Sequence, residues 1–343
     1  MVASSTCIYC GSAGPFNEEH PLPRCLGEFR EAPPIQTGVC KTCNGEIGRA
    51  EEQFCRAGPE AFFRQYYDVS GRASHNRVNP FERGSAGAPA IDYKAIHSGL
   101  GIEILWELNP GEETVREVRQ IVVVDTEGKA YPIRVTQHMT TSPRLKAQVD
   151  VLGVSPKEIY VFAQPEEIEW VNSLVTDIAS GVTWSSGQPG KQVVGARAKT
   201  EVGENYFRSL TKIGLHYLIA TSDQVTGAET EFDPVRAFIQ HGGDPNVFFK
   251  EEQGVIIDRD SPLARPERPI HIVTVEWTPK WVASRMQSFF GPDYEPPIYL
   301  LRLAPGVSKL PGQGALGHAY VYFEDGPEGK FAGDVSEIIT RRK

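Results

Sequence analysis

The alternation of apolar and polar residues over 93–343 predicts a mixture of strands and helices. Two apolar runs, 118–125 and 131–135, flank the sequence DTEGK, which is typical of a hairpin loop. Further predicted strands lie at 102–108, 159–162, 270–277, 298–303 and 317–323. The strands cluster at both ends of this region with helical patterns between them. We therefore expect an α+β domain over 93–343 and not a regular βαβ alternation.

Apolar residues at helical spacing predict helices in both halves of the chain. Near the N-terminus, Ile47, Ala50, Glu51 and Phe54 share one face, and Gly58-Pro59 separates this helix from a second one at 61–67. Two later helices are marked by the sets Ile168, Val171, Leu174, Val175, Ile178 and Phe207, Leu210, Ile213, Tyr217, Leu218. Histidines in such elements are expected to be packed residues, namely His216, His271 and His318. A diffuse basic stretch is expected to form a solvated face: Lys191, Arg197, Lys199, Arg208 and Lys212.

Residues 67–92 are rich in Gly, Ser, Pro and Asn and show no periodicity, which predicts a linker between residues 1–66 and 93–343. Arg72, Arg77 and Arg83 make this stretch locally basic. The stretch is interpreted either as a solvated linker or as a basic arm that contacts phosphate groups.

The composition is that of an ordinary globular protein, and the formal net charge of −9 argues against a protein that coats polyanions generally. Residues 1–66 carry six Lys and Arg against eight Asp and Glu. The first residues, MVASSTCIYCG, lack the basic and apolar regions of a secretory signal. The apolar runs are shorter than a membrane span requires. We expect a soluble, cytoplasmic protein with no membrane partner.

Six cysteines lie before residue 56, and four of them have the spacing of metal ligands. Cys7 and Cys10 form one CxxC pair, and Cys40 and Cys43 form a second one. Four thiolates in two such pairs predict a closed, tetrahedral structural zinc site. We expect Cys25 and Cys55 to be reduced and packed, with the alternative that one of them replaces a zinc ligand.

The segment between the two CxxC pairs adds groups suited to hydrolysis. It contains Glu19-His20, followed by Pro21-Leu22-Pro23, and Asn44 comes directly after Cys43. The order of these elements resembles the HNH, or ββα-metal, endonuclease family in its four-cysteine form. The resemblance covers about residues 5–57 and implies a small zinc-stabilised HNH module at 1–66.

This resemblance implies a DNA endonuclease with His20, Glu19 and Asn44 as catalytic residues. His20 in its neutral form would take a proton from water. Glu19 and Asn44 would hold a catalytic Mg²⁺ or Mn²⁺ ion, while zinc supports the fold. Gln36 or a backbone carbonyl is a candidate for orienting His20. Glu18 is either an exposed acid or a second carboxylate near the metal.

The role of residues 93–343 is open at this point. By analogy with HNH proteins, the larger domain recognises a target, senses a signal, or docks onto a protein partner or another copy of the chain. HNH effectors of prokaryotic antiviral defence have a comparable layout. The alternative is a zinc-stabilised binding or assembly protein whose HNH site is degenerate and cuts nothing.

Overall fold

The structure is a computed structural model. It describes residues 6–29, 34–69, 79–111, 114–137, 139, 141–176, 178, 182–184, 194–222, 224–257, 270–278, 280–290, 296–305, 315–321 and 328–334. The chain divides into two units, one of Met1–Ala90 with Thr200–Lys343 and one of Ile91–Lys199. The second unit begins close to the expected boundary at 92, whereas the division has no boundary at 66, because the N-terminal segment packs with the C-terminal part of the chain.

Helices and mostly antiparallel sheets make up both units, which confirms the α+β class. The helices are α1 (Lys41–Arg56), α2 (Pro59–Tyr66), α3 (Ser142–Val151), α4 (Ile168–Val175), α5 (Glu204–Thr221) and α6 (Asp233–His241). The strands are β1 (Glu28–Phe29), β2 (Asp92–Ile96), β3 (Glu103–Leu108), β4 (Val115–Glu117), β5 (Gln120–Asp125), β6 (Ala130–Arg134), β7 (Pro156–Phe162), β8 (Val182–Trp184), β9 (Val194–Lys199), β10 (Phe249–Glu252), β11 (Ile270–Trp277), β12 (Trp281–Phe290), β13 (Ile298–Pro305), β14 (Ala315–Val321) and β15 (Glu328–Asp334).

A seven-stranded sheet forms one layer of the first unit, in the order β1-β15-β14-β11-β12-β13-β10. Its neighbouring strands are antiparallel, except that β1 runs parallel to β15. The predicted strand at 270–277 is confirmed as β11, whose residues are all buried. His271 within it is fully buried and accepts a hydrogen bond from the Phe289 backbone at 3.3 Å, which confirms its packed role.

Helix α5 is the centre of this unit. Its residues from 209 to 220 are all buried, because the helix contacts β11, β12 and β13 as well as α1. A Cβ atom added at Gly214 would lie 3.0 Å from the Cβ of Ser284 and 3.1 Å from Leu301, so glycine permits the close approach of helix and sheet. Lys212 is 1% exposed, and its assignment to a solvated basic face was therefore wrong.

The N-terminal segment consists of extended chain followed by α1. Single antiparallel bridges join Phe16 to Cys40 and Glu19 to Ile35, directly before the helix begins. Ile47 and Phe54 of α1 are buried in the same apolar cluster as the residues of α5. The segment therefore shares a core with the rest of its unit, where the sequence suggested a module that zinc alone holds together.

The stretch predicted as a linker is partly packed. Arg72 and Arg77 lie outside the described residues, and Arg83 is exposed. Phe81 is 1% exposed and makes an edge-on contact with Phe62 at a centroid distance of 6.0 Å. A solvated linker is therefore excluded at least around Phe81, because its ring needs an apolar environment.

The second unit contains two four-stranded sheets, β4-β3-β2-β9 and β6-β5-β7-β8. Alternate residues of β5 belong to two apolar clusters: Val122 and Val124 to one, Ile121 and Val123 to another that includes residues of α3 and α4. Burial on both faces explains the uninterrupted apolar run of this strand. The predicted hairpin between β5 and β6 is confirmed.

Candidate metal centre and adjoining polar network

The four cysteines of the CxxC pairs meet in space. The sulfur atoms of Cys7, Cys10, Cys40 and Cys43 all lie within 4.8 Å of one another, and those of Cys10 and Cys40 are 3.6 Å apart. Four sulfurs at about 2.3 Å from one tetrahedral zinc ion are separated by roughly 3.8 Å. The donor set therefore fits a zinc ion, as the sequence predicted.

Two tight turns position these thiols. At the first, the Gly11 amide donates to the Cys7 carbonyl at 2.8 Å, and Gly11 has a φ of 72°, which favours glycine. At the second, Cys40 is the N-cap of α1, and its sulfur accepts a hydrogen bond from the Cys43 amide at 3.5 Å. Each CxxC pair thus presents both of its sulfurs to the same point.

The pKa values of two of the four thiols are shifted in opposite directions, and a bound cation would stabilise both as thiolates. The Cys43 backbone amide at the start of α1 lowers the pKa of the Cys40 thiol to about 6. Burial, together with the neighbouring thiols, raises the pKa of Cys43. A bound cation would lower the pKa of every thiol in the cluster, because it stabilises all four thiolates at once. Gln240 of α6 donates to the Cys43 sulfur at 3.8 Å and supports the cluster from outside.

Cys25 and Cys55 form a disulfide, so the expectation that they are reduced thiols was wrong for this structure. The bond joins a short 3-10 turn, Arg24–Leu26, to the last turn of α1, and the two Cα atoms are 5.6 Å apart. Neither cysteine is available to replace a zinc ligand.

Glu19 lies beside the cysteine cluster and is 6% exposed. Its Oε2 accepts a hydrogen bond from the Asn44 side-chain amide at 2.5 Å. The structure thus brings together two of the three predicted catalytic residues. Glu19 Oε1 meets groups from α5: the Lys212 ammonium in direct contact and His216 Nδ1 at 3.4 Å.

Lys212 carries the only cationic ammonium or guanidinium group that the described residues place against Glu19. It also donates to Glu51 Oε1 at 2.6 Å and to the His20 carbonyl at 3.0 Å. Burial alone would raise the pKa of Glu19, but Lys212 and His216 outweigh it and lower that pKa to about 2. Burial would lower the pKa of Lys212, but the two carboxylates raise it above its usual value.

His20, the predicted base, is half-buried. Its Nε2 accepts a hydrogen bond from Arg24 Nε at 3.0 Å. Burial and the Arg24 charge both lower the pKa of His20, so the ring is neutral at physiological pH. Gln36, the candidate for orienting His20, instead donates to Glu18 at 3.5 Å on the surface. Glu18 is accordingly an exposed acid.

His216 joins the cysteine cluster to the acid–lysine network. Its Nε2 lies 2.7 Å from the hydroxyl of Tyr9, which sits between Cys7 and Cys10 in the chain. Burial lowers the pKa of His216, so the ring is neutral. A Tyr9 hydroxyl that donates to Nε2 leaves the proton of the imidazole on Nδ1, facing Glu19.

Sequence reasoning missed Lys212, Glu51 and Tyr9 as members of the site. The sequence pattern places Glu51 on the buried face of α1, and a charge there requires a partner, which the structure shows to be Lys212. A lysine and a histidine four residues apart within an apolar helix are a usable signal, because buried charges need a counter-charge.

No family model matches the chain, and neither a curated protein nor a solved structure matches it significantly. The resemblance to HNH endonucleases therefore rests on the motif alone. The finding that stands is a cluster of four cysteines that could bind zinc. No helix in the described part of the chain is both long and apolar enough to cross a membrane.

Proposed function

We propose that this protein is a metal-dependent endonuclease whose cleavage site is formed by Glu19, His20 and Asn44 beside a structural zinc. One observation carries the proposal: a neutral, half-buried histidine follows a carboxylate that contacts Asn44, next to four clustered cysteines. The order of two bridged extended segments and a helix supports a ββα module. DNA is the proposed substrate.

In the proposed reaction His20 takes a proton from water, and the water oxygen attacks phosphorus. The bond from phosphorus to the leaving sugar oxygen then breaks, and that oxygen is protonated by solvent. A Mg²⁺ or Mn²⁺ ion held by Glu19 and Asn44 would supply positive charge to the phosphate. Carboxylate and amide oxygens are ligands of the right kind for such an ion.

Arg24 has a specific part in this proposal. In the free protein it donates to His20 Nε2, the basic nitrogen of the neutral ring. A guanidinium prefers phosphate to imidazole, because the bond is charge-assisted and can be bidentate. A phosphodiester at the site would draw Arg24 away and free His20 for its role as base.

A second candidate function is a zinc-stabilised binding or assembly protein that does not cleave. The pairing of Glu19 with the Lys212 ammonium favours it, since a carboxylate that is already neutralised by lysine is a poorer metal ligand.

The two candidates are separated by incubating zinc-loaded protein with supercoiled plasmid or single-stranded DNA in Mg²⁺ or Mn²⁺. Under the proposal the wild-type protein cleaves and His20→Ala loses at least about 100-fold in rate. His241→Ala, at the exposed end of α6, is the matched control and should cleave normally. Cleavage that survives in His20→Ala would refute the assignment of the base. Absence of cleavage by wild type in both metals would favour the second candidate.

A further inference from the structure

The Lys212 ammonium lies where three oxygen atoms converge. These are Glu19 Oε1, Glu51 Oε1 at 2.6 Å and the His20 carbonyl at 3.0 Å. They come from the extended N-terminal segment and from α1, whereas the ammonium arrives from α5. The Lys212 side chain is 1% exposed. The ammonium is therefore held inside the protein by a ready-made set of oxygen donors.

This donor set is of the kind that a hard divalent cation takes. Two carboxylates and a backbone carbonyl are typical ligands of Mg²⁺, Mn²⁺ and Ca²⁺. A second observation points to the same place. His216 Nδ1 is fully buried and faces Glu19 Oε1 at 3.4 Å, which is a long, poorly aligned contact and leaves this oxygen without a strong partner on the imidazole side. If Glu19 bound a cation at the position of the Lys212 ammonium, its Oε1 would still face the His216 imidazole.

We propose that the point now held by the Lys212 ammonium is a divalent-cation site, that Lys212 keeps it closed, and that Glu51 is one of its ligands. The inference rests on the proposed function, since the cation at this point would be the one proposed to bind Glu19. Glu51 and the His20 carbonyl then take the place that the motif gives to Asn44, which keeps its hydrogen bond to Glu19 Oε2. It adds a ligand that the motif does not contain and a lysine that competes with the metal.

The competition follows from charge and tethering. A divalent ion gains about twice as much Coulomb energy from each carboxylate as an ammonium does at the same distance. Lys212, however, is attached to a packed helix and is present at its site without any loss of translational freedom. The metal must therefore displace a tethered competitor, and the site opens by movement of one side chain.

The test uses Mn²⁺ alone as the probe, with binding to zinc-loaded protein followed by electron paramagnetic resonance. Lys212→Met removes the ammonium and keeps the apolar stem, so we expect Mn²⁺ to bind at least tenfold more tightly than to wild type. Adding Glu51→Gln to Lys212→Met should reverse that gain. Adding Glu52→Gln instead should leave it within twofold, because Glu52 is a half-exposed residue of the same helix, paired only with Arg56 at 3.3 Å among the described contacts.

Several results would overturn the inference. One is Mn²⁺ affinity of Lys212→Met that is equal to or below that of wild type, and another is equal loss from Glu51→Gln and Glu52→Gln. If Lys212→Met unfolds without metal, Mn²⁺ should restore the fold, and failure to do so would also overturn it. The readout is metal binding and not DNA cleavage. If the Mn²⁺ affinities of the variants follow the expected order in a protein that does not cleave DNA, the cation site is supported and the nuclease proposal fails separately.

Discussion

Two buried carboxyl groups in the same unit have pKa values that are shifted in opposite directions. Glu19 is 6% exposed and Glu60 is 3% exposed. The pKa of Glu19 is lowered to about 2, whereas burial raises the pKa of Glu60 to about 8. Glu19 belongs to the N-terminal segment and Glu60 to α2, and each has a partner on α5. The difference lies in what α5 offers each of them.

From α5, Glu19 receives an ammonium, while Glu60 receives the hydroxyl of Tyr206, at 2.9 Å from its Oε1. Its other oxygen, Oε2, has no hydrogen-bond partner in the described part of the chain. A phenol cannot offset the loss of hydration that a carboxylate suffers on burial, but a buried cation can. Equal burial thus produces one carboxylate poised for a cation and one carboxylic acid that stays neutral at pH 7.

The largest expected effect removes the metal site beside Glu19 and leaves the surroundings of Glu60 unchanged. Cys40→Ser should no longer bind zinc and should strongly destabilise the N-terminal segment, since apparent zinc binding in small domains contributes about 10 kcal/mol or more. The apolar contacts between α1 and α5 are retained in this variant. Zinc per chain by atomic absorption and thermal unfolding by circular dichroism measure this. Cys25→Ser, which lies outside the cluster, should keep one zinc. A folded, zinc-loaded Cys40→Ser protein would contradict the assignment.

The next effect removes the cation from Glu19. Without added metal, Lys212→Met should lower the free energy of unfolding by about 3–5 kcal/mol, because two carboxylates remain in the protein with no counter-charge. Urea denaturation measures the loss. Combining it with Glu19→Gln and Glu51→Gln should recover most of that loss. If the free energy of unfolding of Lys212→Met alone is within about 1 kcal/mol of the wild-type value, the ammonium is not needed for stability.

The third prediction concerns the neutral acid and its pH dependence. Folded protein keeps a proton on Glu60 up to about pH 8, whereas the unfolded chain releases it near pH 4.5. Between these values the folded state binds more protons, so its stability should fall by about 1.4 kcal/mol per pH unit as pH rises. Glu60→Gln should remove this contribution, as urea unfolding at pH 5 and pH 9 would show.

The matched control for this measurement is Glu52→Gln, which should leave the slope of stability against pH unchanged because Glu52 is half-exposed. If Glu60→Gln and wild type lose the same stability between pH 5 and pH 9, Glu60 is not protonated in the folded state.

The smallest effect concerns His216, which lies beside Glu19, and its hydrogen-bond partner Tyr9. Tyr9→Phe removes the hydroxyl that lies 2.7 Å from His216 Nε2. We expect a loss of about 1 kcal/mol, the usual contribution of one hydrogen bond, with zinc content unchanged. Calorimetry on the zinc-loaded variant measures it. A loss of zinc from Tyr9→Phe would mean that the two clusters depend on each other more than their geometry suggests.

The sequence reveals features that are local in the chain. Apolar runs predicted the strand at 270–277 and the hairpin after 118–125, because alternation and turn residues are set by near neighbours. The four-cysteine cluster was predictable for the same reason, since each CxxC pair is closed within one turn. The buried face of α1 at Ile47 and Phe54 also follows from spacing alone.

Partners distant in the chain could not be predicted in this way. The pattern of α5 marked one apolar face, but the helix is buried all round, which turns Lys212 from a surface residue into a core cation. Cys25 and Cys55 were left over once four cysteines had been assigned to zinc, and only the packing of the 3-10 turn against α1 brings them together. Both errors concern which residues meet, and not which elements form.

The pairing of His20 with Lys212 spans 192 residues, and this separation has a consequence for synthesis. At typical translation rates of about 5–20 residues per second, the ribosome needs roughly 10–40 s to make the chain between them. During that time Glu19 and His20 have left the ribosome while α5 does not yet exist. Strand β1 waits longer still, since it pairs with β15. The nascent chain thus exposes its four cysteines early and Lys212 late, so the cysteine cluster can form before the buried ion pair between Lys212 and Glu19.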